Sequence, residues 1–317
     1  MARHAAEPAA LPRARERGRR RPWIVAFRRY RAPYLFILPF FVVFAVFFLY
    51  PIGFSLSLSL HEWSGFGPAR FVGLGNYRLL LRDELFWGSM LNATILFLIY
   101  VPAMTFLALV LASLLHSRYL KLQGLWRALI FLPNITSMVA AGYVFRLMLD
   151  TDSGLANRLL SVFGVSPIPW LDDVWWARIS LGLLLVWAWL GWNTVIMLAG
   201  LQTIPPELLD AARVDGANAA QIFRRITVPL LRPQILFAVT LSIIGTYSLF
   251  TEPFVLTRGG PVQATTTPVY QVFTTTFEYA KVGYGAAMSY VYFAVIVVLT
   301  LFQFRVLSRE RPAGRRR

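Results

Sequence analysis

Six stretches of this chain carry no charged side chain for close to, or beyond, the length that crosses a bilayer. They are 32–60, 85–115, 128–145, 179–206, 233–251 and 282–304. A spanning helix needs about 20 apolar residues at about 1.5 Å each, and only the third and fifth runs fall slightly short. Apolar positions fill all sides of these runs, with no solvent-facing polar stripe, as expected for helices facing lipid or each other. The pattern predicts an all-α integral membrane protein with six transmembrane helices, at about 35–60, 87–115, 128–149, 179–202, 233–254 and 284–305. Pro39, Pro102 and Pro133 lie inside the runs, where membrane helices tolerate proline.

One connection has a different character. Between the fourth and fifth runs, 203–229 is amphipathic and turn-rich. Pro205 and Pro206 suit the first turn of a helix, whose N–H groups have no intrahelical partner. Glu207 and Asp210 place negative charge near that end, where the helix dipole favours it. Asp215 and Gly216 end the helix, since glycine adopts the left-handed cap at little cost. Asn218 caps a second helix, with Gln221 three residues on as in a capping box. Pro229 and Pro233 close the unit. The spacing thus predicts a capped helix–turn–helix.

Composition agrees with a membrane chain: of 317 residues 57% are hydrophobic and only 15% charged. There is no cysteine, so disulfides and thiolate metal sites are excluded. His4, His61 and His116 are far apart in sequence and form no ligand pair. The net charge of +16 would suit nucleic acid if it were clustered on a soluble surface. It is instead sided. With the N-terminus inside, the inner segments carry 23 of the 31 Lys and Arg and the outer segments 8, which places both termini in the cytoplasm. The hairpin falls on that same side. Its own charges balance, Glu207, Asp210 and Asp215 against Arg213, Arg224 and Arg225, which argues against a DNA-reading helix pair. Residues 1–33 and 308–317 read as basic cytoplasmic tails, the first disordered and attracted to anionic lipid, flanking a transmembrane region at 34–307. Tyr34, Trp63, Trp87, Trp175, Trp176 and Tyr284 sit near run ends, as interfacial belts require. The sequons at Asn92 and Asn134 lie within spans and are discounted as glycosylation sites.

The order Asp210, Ala211, Ala212, then Asp215, Gly216, Ala217, then Ile226, Thr227, Val228, Pro229 resembles the signature loop of ATP-binding-cassette (ABC) importer permeases. The family pattern has Glu where Asp210 stands and Leu where Val228 stands; both substitutions keep charge or apolarity. The resemblance implies that the loop is cytoplasmic and docks into a cleft on an ATPase subunit, with Glu207, Asp210, Ala211, Ala212, Asp215, Gly216, Ala217, Ile226 and Pro229 forming the coupling surface. Two further stretches look like carbohydrate-uptake permeases of the maltose and glycerol-phosphate type. One is Phe71, Val72, Gly73, Asn76, Tyr77, Phe86, Trp87 and Asn92. The other is Thr257, Gly259, Gly260, Pro261, Thr265, Thr266, Thr267, Phe277, Gly283 and Tyr284. Here Gly285, Ala286 and Ala287 follow Tyr284, where the family usually has Ala-Ser-Ala.

The resemblance implies a division of labour. This chain has no G-x-x-x-x-G-K-[ST] phosphate loop, so it is not expected to be an enzyme or to bind a cofactor. Its implied partners are a second permease subunit, two ABC ATPase subunits that use ATP and Mg, an extracytoplasmic solute-binding protein, and membrane lipid. The implied location is a bacterial or archaeal cell (inner) membrane. An ion-coupled secondary transporter is the alternative, but such proteins place acidic residues within the membrane, and none lies well inside these six runs. An intramembrane enzyme lacks its acid, base or metal cluster. For the substrate pathway the spans flanking the hairpin are the candidates. Trp189, Trp192 and Asn193 share a helix face at i, i+3 and i+4, as do Ser242 and Thr246, with Tyr247 adjacent. Aromatic platforms beside hydroxyl and amide groups suit a sugar's apolar faces and many hydroxyls.

Overall fold

The computed structural model describes residues 31–117 and 120–307. The expectations for the tails from 1 to 30 and from 308 onward lie outside the described residues. The described residues are mostly helical, with one two-stranded sheet among them. Two compact units divide at Phe54.

The first unit is one apolar rod. α1 (Arg31–Phe44) continues through a π-turn (Ala45–Leu49) into α2 (Tyr50–Ser59). From Pro33 to Phe54 every side chain except that of Phe44 is exposed. Phe40, Phe44 and Phe48 stack along it at i, i+4 spacing, centroids 6.1 and 5.5 Å apart. A helix apolar on all sides is stable in hydrocarbon rather than in water.

The second unit begins at Ser55, within α2. β1 (His61–Glu62) pairs antiparallel with β2 (Arg70–Phe71). Asn76, buried on α3 (Gly75–Leu80), donates to the carbonyls of Ser59 and His61 and pins this loop. α4 (Glu84–His116) is capped by Asp83, whose carboxylate accepts from the N–H groups of Leu85 and Phe86. α5 (Gln123–Phe131), a 3₁₀ turn (Leu132–Ile135) and α6 (Met138–Met148) follow. A turn at Asp150 leads to α7 (Leu155–Val162), and Asp173 caps α8 (Val174–Leu201). The hairpin holds α9 (Pro206–Val214), α10 (Ala219–Ile222), a π-turn (Phe223–Thr227) and α11 (Val228–Leu230). Then come α12 (Arg232–Tyr247), α13 (Thr251–Leu256), α14 (Pro268–Phe273) and α15 (Val282–Leu307).

Among the described residues, four helices are long and apolar enough to cross a membrane, or up to six if each of two bent pairs counts as one span. One bend falls where an apolar run looked continuous, the other at the end of the hairpin. The third run folds by 92° between Ile135 and Met138. Pro133 cannot donate to the helix ladder, and the Ser137 side chain starts a fresh cap by accepting from the Ala140 N–H. The fifth run is entered through a 67° bend at Leu231, ahead of Pro233. It leaves helix at Ser248, so the residues beyond Tyr247 belong to a separate helix, α13. Apolarity alone does not register the first bend, because 128–145 is apolar on both sides of it.

The core is three apolar clusters strung along α4. Leu96, Tyr100, Val101 and Met104 pack with Leu181, Leu184 and Leu185 of α8. One turn further on, Ala108, Leu109, Ala112 and Leu115 pack with Met197, Leu198 and Leu201 of α8 and with Leu231 and Ala238. At the other end Phe86, Met90 and Ala93 meet Ile243 and Tyr247 of α12 and Met288 and Ile296 of α15. α8 comes close to its neighbours at glycines. A Cβ at Gly200 would lie 2.6 Å from the Gln234 side chain, and one at Gly191 only 2.2 Å from the Ile130 carbonyl oxygen. Small residues at such crossings let helices approach where no hydrophobic effect drives them together.

Candidate coupling hairpin and central cavity

The hairpin forms as its capping residues require. Pro205 is the N-cap of α9 and Pro206 its first residue. At the other end the Ala217 N–H donates to the Ala212 carbonyl (2.9 Å) and the Gly216 N–H to that of Arg213 (3.0 Å), the pair of bonds of a Schellman cap. Gly216 sits at φ +81°, the left-handed region, and nothing lies within 4 Å of where its Cβ would be. A side chain there is resisted by backbone conformation alone. Asn218 and Gln221 form the reciprocal capping box, at 2.8 and 2.9 Å. Asp210 and Arg213 pair on the exposed face.

Burial divides the hairpin into two faces. Glu207, Asp210, Ala211, Asp215, Gly216 and Pro229 are exposed, Ala217 and Ile226 are half-buried, and Ala212 is buried. The inward face is apolar: Ile204, Leu209 and Phe223 join the second core cluster, with Leu115, Leu201 and Leu231. The exposed face thus rests on side chains that also pack α4, α8 and α12.

Above that cluster lies a cavity of about 300 Å³. Its walls are Tyr100 and Met104 from α4, Trp189, Trp192 and Asn193 from α8, and Ala238, Leu241, Ser242 and Gly245 from α12, with Leu249 beyond. Four of the six pathway residues singled out in the sequence therefore meet in one place. Trp189 and Trp192 are about two-fifths exposed, at 38% and 43%. Asn193 is 4% exposed; its Nδ2 donates to the Trp189 carbonyl at 3.0 Å and lies 3.5 Å from Met104 Sδ. The Ser242 hydroxyl donates to the Ala238 carbonyl at 2.9 Å.

Thr246 and Tyr247 do not line the cavity. Thr246 is fully buried; its hydroxyl donates to the Ser242 carbonyl and shares a 2.6 Å hydrogen bond with the Tyr100 hydroxyl. Tyr247 is turned into the third cluster, its hydroxyl 2.7 Å from that of Thr94. Ser242 and Thr246 share a face at i, i+4, but α4 covers only the second of them. Tyr100 and Met104 are cavity residues that sequence reading missed. They sit in a long apolar run, where only a mid-span tyrosine two residues before Pro102 marked the place.

The Gly259–Thr267 turn is not an ordinary surface loop. Thr265, Thr266 and Thr267 are buried, and their hydroxyls donate to the carbonyls of Gly260, Gly259 and Leu249. Asn92 on α4 donates to the carbonyls of Gln263 and Thr266, while Arg178 on α8 donates to the Ala264 carbonyl and to Asn92 Oδ1. The segment is a folded cover tied to two of the long helices.

A multi-helix membrane scaffold, a capped exposed hairpin seated on its core and a cavity among its long helices define a polytopic transport subunit. The chain belongs to the family described as binding-protein-dependent transport system inner membrane component, whose pattern matches residues 22–311. It is a permease subunit of an ABC importer, and ATP hydrolysis is done by separate subunits. It is 38% identical over 283 residues to the lactose transport system permease protein LacF of Rhizobium radiobacter, covering 88% of this chain and 94% of that one. It is 36% identical over 291 residues to the arabinooligosaccharides transport system permease protein AraP of Bacillus subtilis, covering 89% and 90%. In fold it is similar to a chain of a bacterial alginate ABC transporter solved in complex with alginate pentasaccharide-bound periplasmic protein. The TM-score there is 0.76, with 20% identity, over 92% of this chain and 98% of that one.

The cavity wall makes one sharp expectation, testable because the native chain has no thiol. A polar maleimide should label Ser242→Cys in the assembled transporter. It should label Thr246→Cys at least tenfold more slowly, since that position is sealed against Tyr100. Equal labelling rates would show that the wall is misplaced.

Proposed function

We propose that this chain forms half of a translocation pathway for a sugar or related carbohydrate, driven by ATP hydrolysis on partner subunits through the 203–229 hairpin. The carrying observation is that the hairpin's apolar face and the cavity walls are joined by the same helices, α8 and α12. A push on the exposed face has a packed route to the cavity, because close-packed interiors transmit displacement. The cavity lining suits the cargo: indoles offer platforms for apolar ring faces, and Asn193, Ser242 and Tyr100 offer amide and hydroxyl partners. The names of LacF and AraP, each a saccharide system, support this class.

The coupling surface is Glu207, Asp210, Ala211, Ala212, Asp215, Gly216, Ala217, Ile226 and Pro229, and the pathway is built from Trp189, Trp192, Asn193 and Ser242, with Thr246 and Tyr247 behind them. The partners are a second permease subunit, two ABC ATPase subunits that use ATP and Mg, and an extracytoplasmic solute-binding protein. The family description and the periplasmic protein in the alginate complex support the last of these. The chain crosses a bacterial or archaeal cell (inner) membrane six times within 34–307, the fifth time through α12 alone, with both termini and the hairpin in the cytoplasm. Nothing favours the ion-coupled alternative: no charged residue lines the cavity.

Three experiments separate the parts of this reading. For topology, reporter fusions at Gly154 and Gly260 should report outside and one after Arg305 inside; a cytoplasmic signal at Gly154 would sink the six-span arrangement. For coupling, Gly216→Val forces a β-branched residue into the left-handed region, at about 1–2 kcal/mol for an L-residue. It should lower substrate-stimulated ATPase activity and uptake at least tenfold while the subunits still assemble. Gly216→Asn, which tolerates that conformation, should restore most of both. Asp210→Lys should uncouple in the same way; normal transport by assembled Gly216→Val and Asp210→Lys complexes would remove the coupling role. For the pathway, Trp192→Ala and Asn193→Ala should cut uptake several-fold with basal ATPase activity unchanged, and unaltered uptake would strike these residues from the path.

A further inference from the structure

Helix α7 is amphipathic with its faces reversed. In a water-exposed loop the apolar face of a helix turns to the protein and the polar face to solvent. Here Asn157 is the inward residue. It is buried, its Nδ2 donates to the carbonyls of Thr151 and Ile168, and its Oδ1 accepts from the Ile168 N–H and the Trp170 indole, all at 2.9–3.1 Å. Every hydrogen-bonding position of that amide is used to hold the helix in this orientation. Leu155, Leu159, Val162 and Phe163 lie on the opposite side and point away from the protein, Val162 and Phe163 being 79% and 83% exposed. At 100° per residue these four fall within about a quarter to a third of the helix circumference, so they form one continuous apolar strip.

The place of the helix says what covers that strip. It starts six residues after α6, a helix whose exposed side carries Tyr143, Val144 and Leu147. The turn between them is tight. The Ser153 N–H and hydroxyl both donate to Asp150 Oδ1, and Gly154 is so close that a Cβ would lie 2.2 Å from the Asp150 carbonyl oxygen. That Ser153 hydroxyl, then the N–H, holds the Asp150 carboxyl below its ordinary pKa, so the turn is kept at neutral pH and loosened only as pH falls through the depressed value. Along the chain, the apolar strip therefore follows the exposed apolar side of α6 after one short turn. On the far side the chain meets Trp170, packed edge-on to Trp176 at 5.0 Å, and the exposed Trp175 at the start of α8. Tryptophan is enriched at the membrane–water boundary. Arg158 is exposed on the flank of the strip, where a long basic side chain reaches lipid headgroups while its stem stays apolar.

We propose that α7 lies in the membrane–water interface, its Leu155, Leu159, Val162 and Phe163 strip inserted at the headgroup–acyl boundary and its orientation locked by Asn157. Helices of this kind bind through buried apolar area and sit about 5–10 Å deep. The occupant is the lipid surface, and a protein partner covering the same strip is the outcome that would exclude it.

The test uses the assembled transporter in nanodiscs. Phe163→Cys and Val162→Cys each carry a nitroxide, with Asp152→Cys, exposed on the preceding turn, as reference and the cysteine-free chain as background. At 163 and 162 molecular oxygen should relax the probe more than a soluble nickel chelate does, by at least threefold relative to 152. A bimane at the same two sites should be quenched by lipids brominated near the headgroup end of the acyl chain. Nickel access at 163 and 162 equal to that at 152 overturns the proposal. So does shielding from nickel without lipid quenching, which would mean burial against a protein. Because each site is read by accessibility and not by transport, the result is independent of whether the cavity carries a sugar.

Discussion

The structure depends on one shared apolar cluster. Leu115, Leu201 and Leu231 are the ends of α4 and α8 and the bend before α12, and Ile204, Leu209 and Phe223 of the hairpin pack into the same group. In a membrane the hydrophobic effect does not hold helices together, so packing and buried hydrogen bonds must. A hairpin that buried nothing would be a loose tether, able to bind a partner but not to move anything. Seated in this cluster, it cannot tilt without displacing the ends of three helices, two of which carry the aromatic and amide walls of the cavity.

That arrangement explains the division between the two faces of the hairpin. The inner face has to be apolar and close-packed. The outer face is left to charged and small residues, Glu207, Asp210, Ala211, Asp215 and Gly216, whose side chains contribute little to the fold of this chain. The Schellman cap at Gly216, made of backbone bonds, and the capping box made by the Asn218 and Gln221 side chains fix the angle between the two short helices. Neither uses the side chains of Glu207, Asp210 or Asp215.

The cover formed by 257–267 follows a different logic. It places backbone carbonyls at a depth where they need partners, and it obtains them from three consecutive threonines, from Asn92 and from Arg178. Arg178 is thereby held by carbonyl and amide acceptors rather than by a carboxylate, and its guanidinium sits 5.0 Å from the ring centre of Trp175. The cluster of polar residues that resembled the carbohydrate permeases is thus, in this chain, a set of internal braces.

The sequence by itself determined the class, the apolar runs and the hairpin. Apolar length reports membrane crossing directly, and the caps are local: Pro206, Gly216, Asn218 and Gln221 act within a few residues of themselves. The resemblance read from Asp210 to Pro229 agreed with the family match. Trp189, Trp192, Asn193 and Ser242 were legible as a group that lines one cavity, because helical spacing puts them on one side of their own helices. Only the tertiary structure decided what stood opposite them. Tyr100 and Met104 reach the cavity from a helix about ninety residues earlier in sequence, and the same tyrosine seals Thr246 away from it. The bend after Pro133 and the outward turn of α7 were equally invisible, because hydropathy records how apolar a residue is and carries nothing about which neighbour it faces.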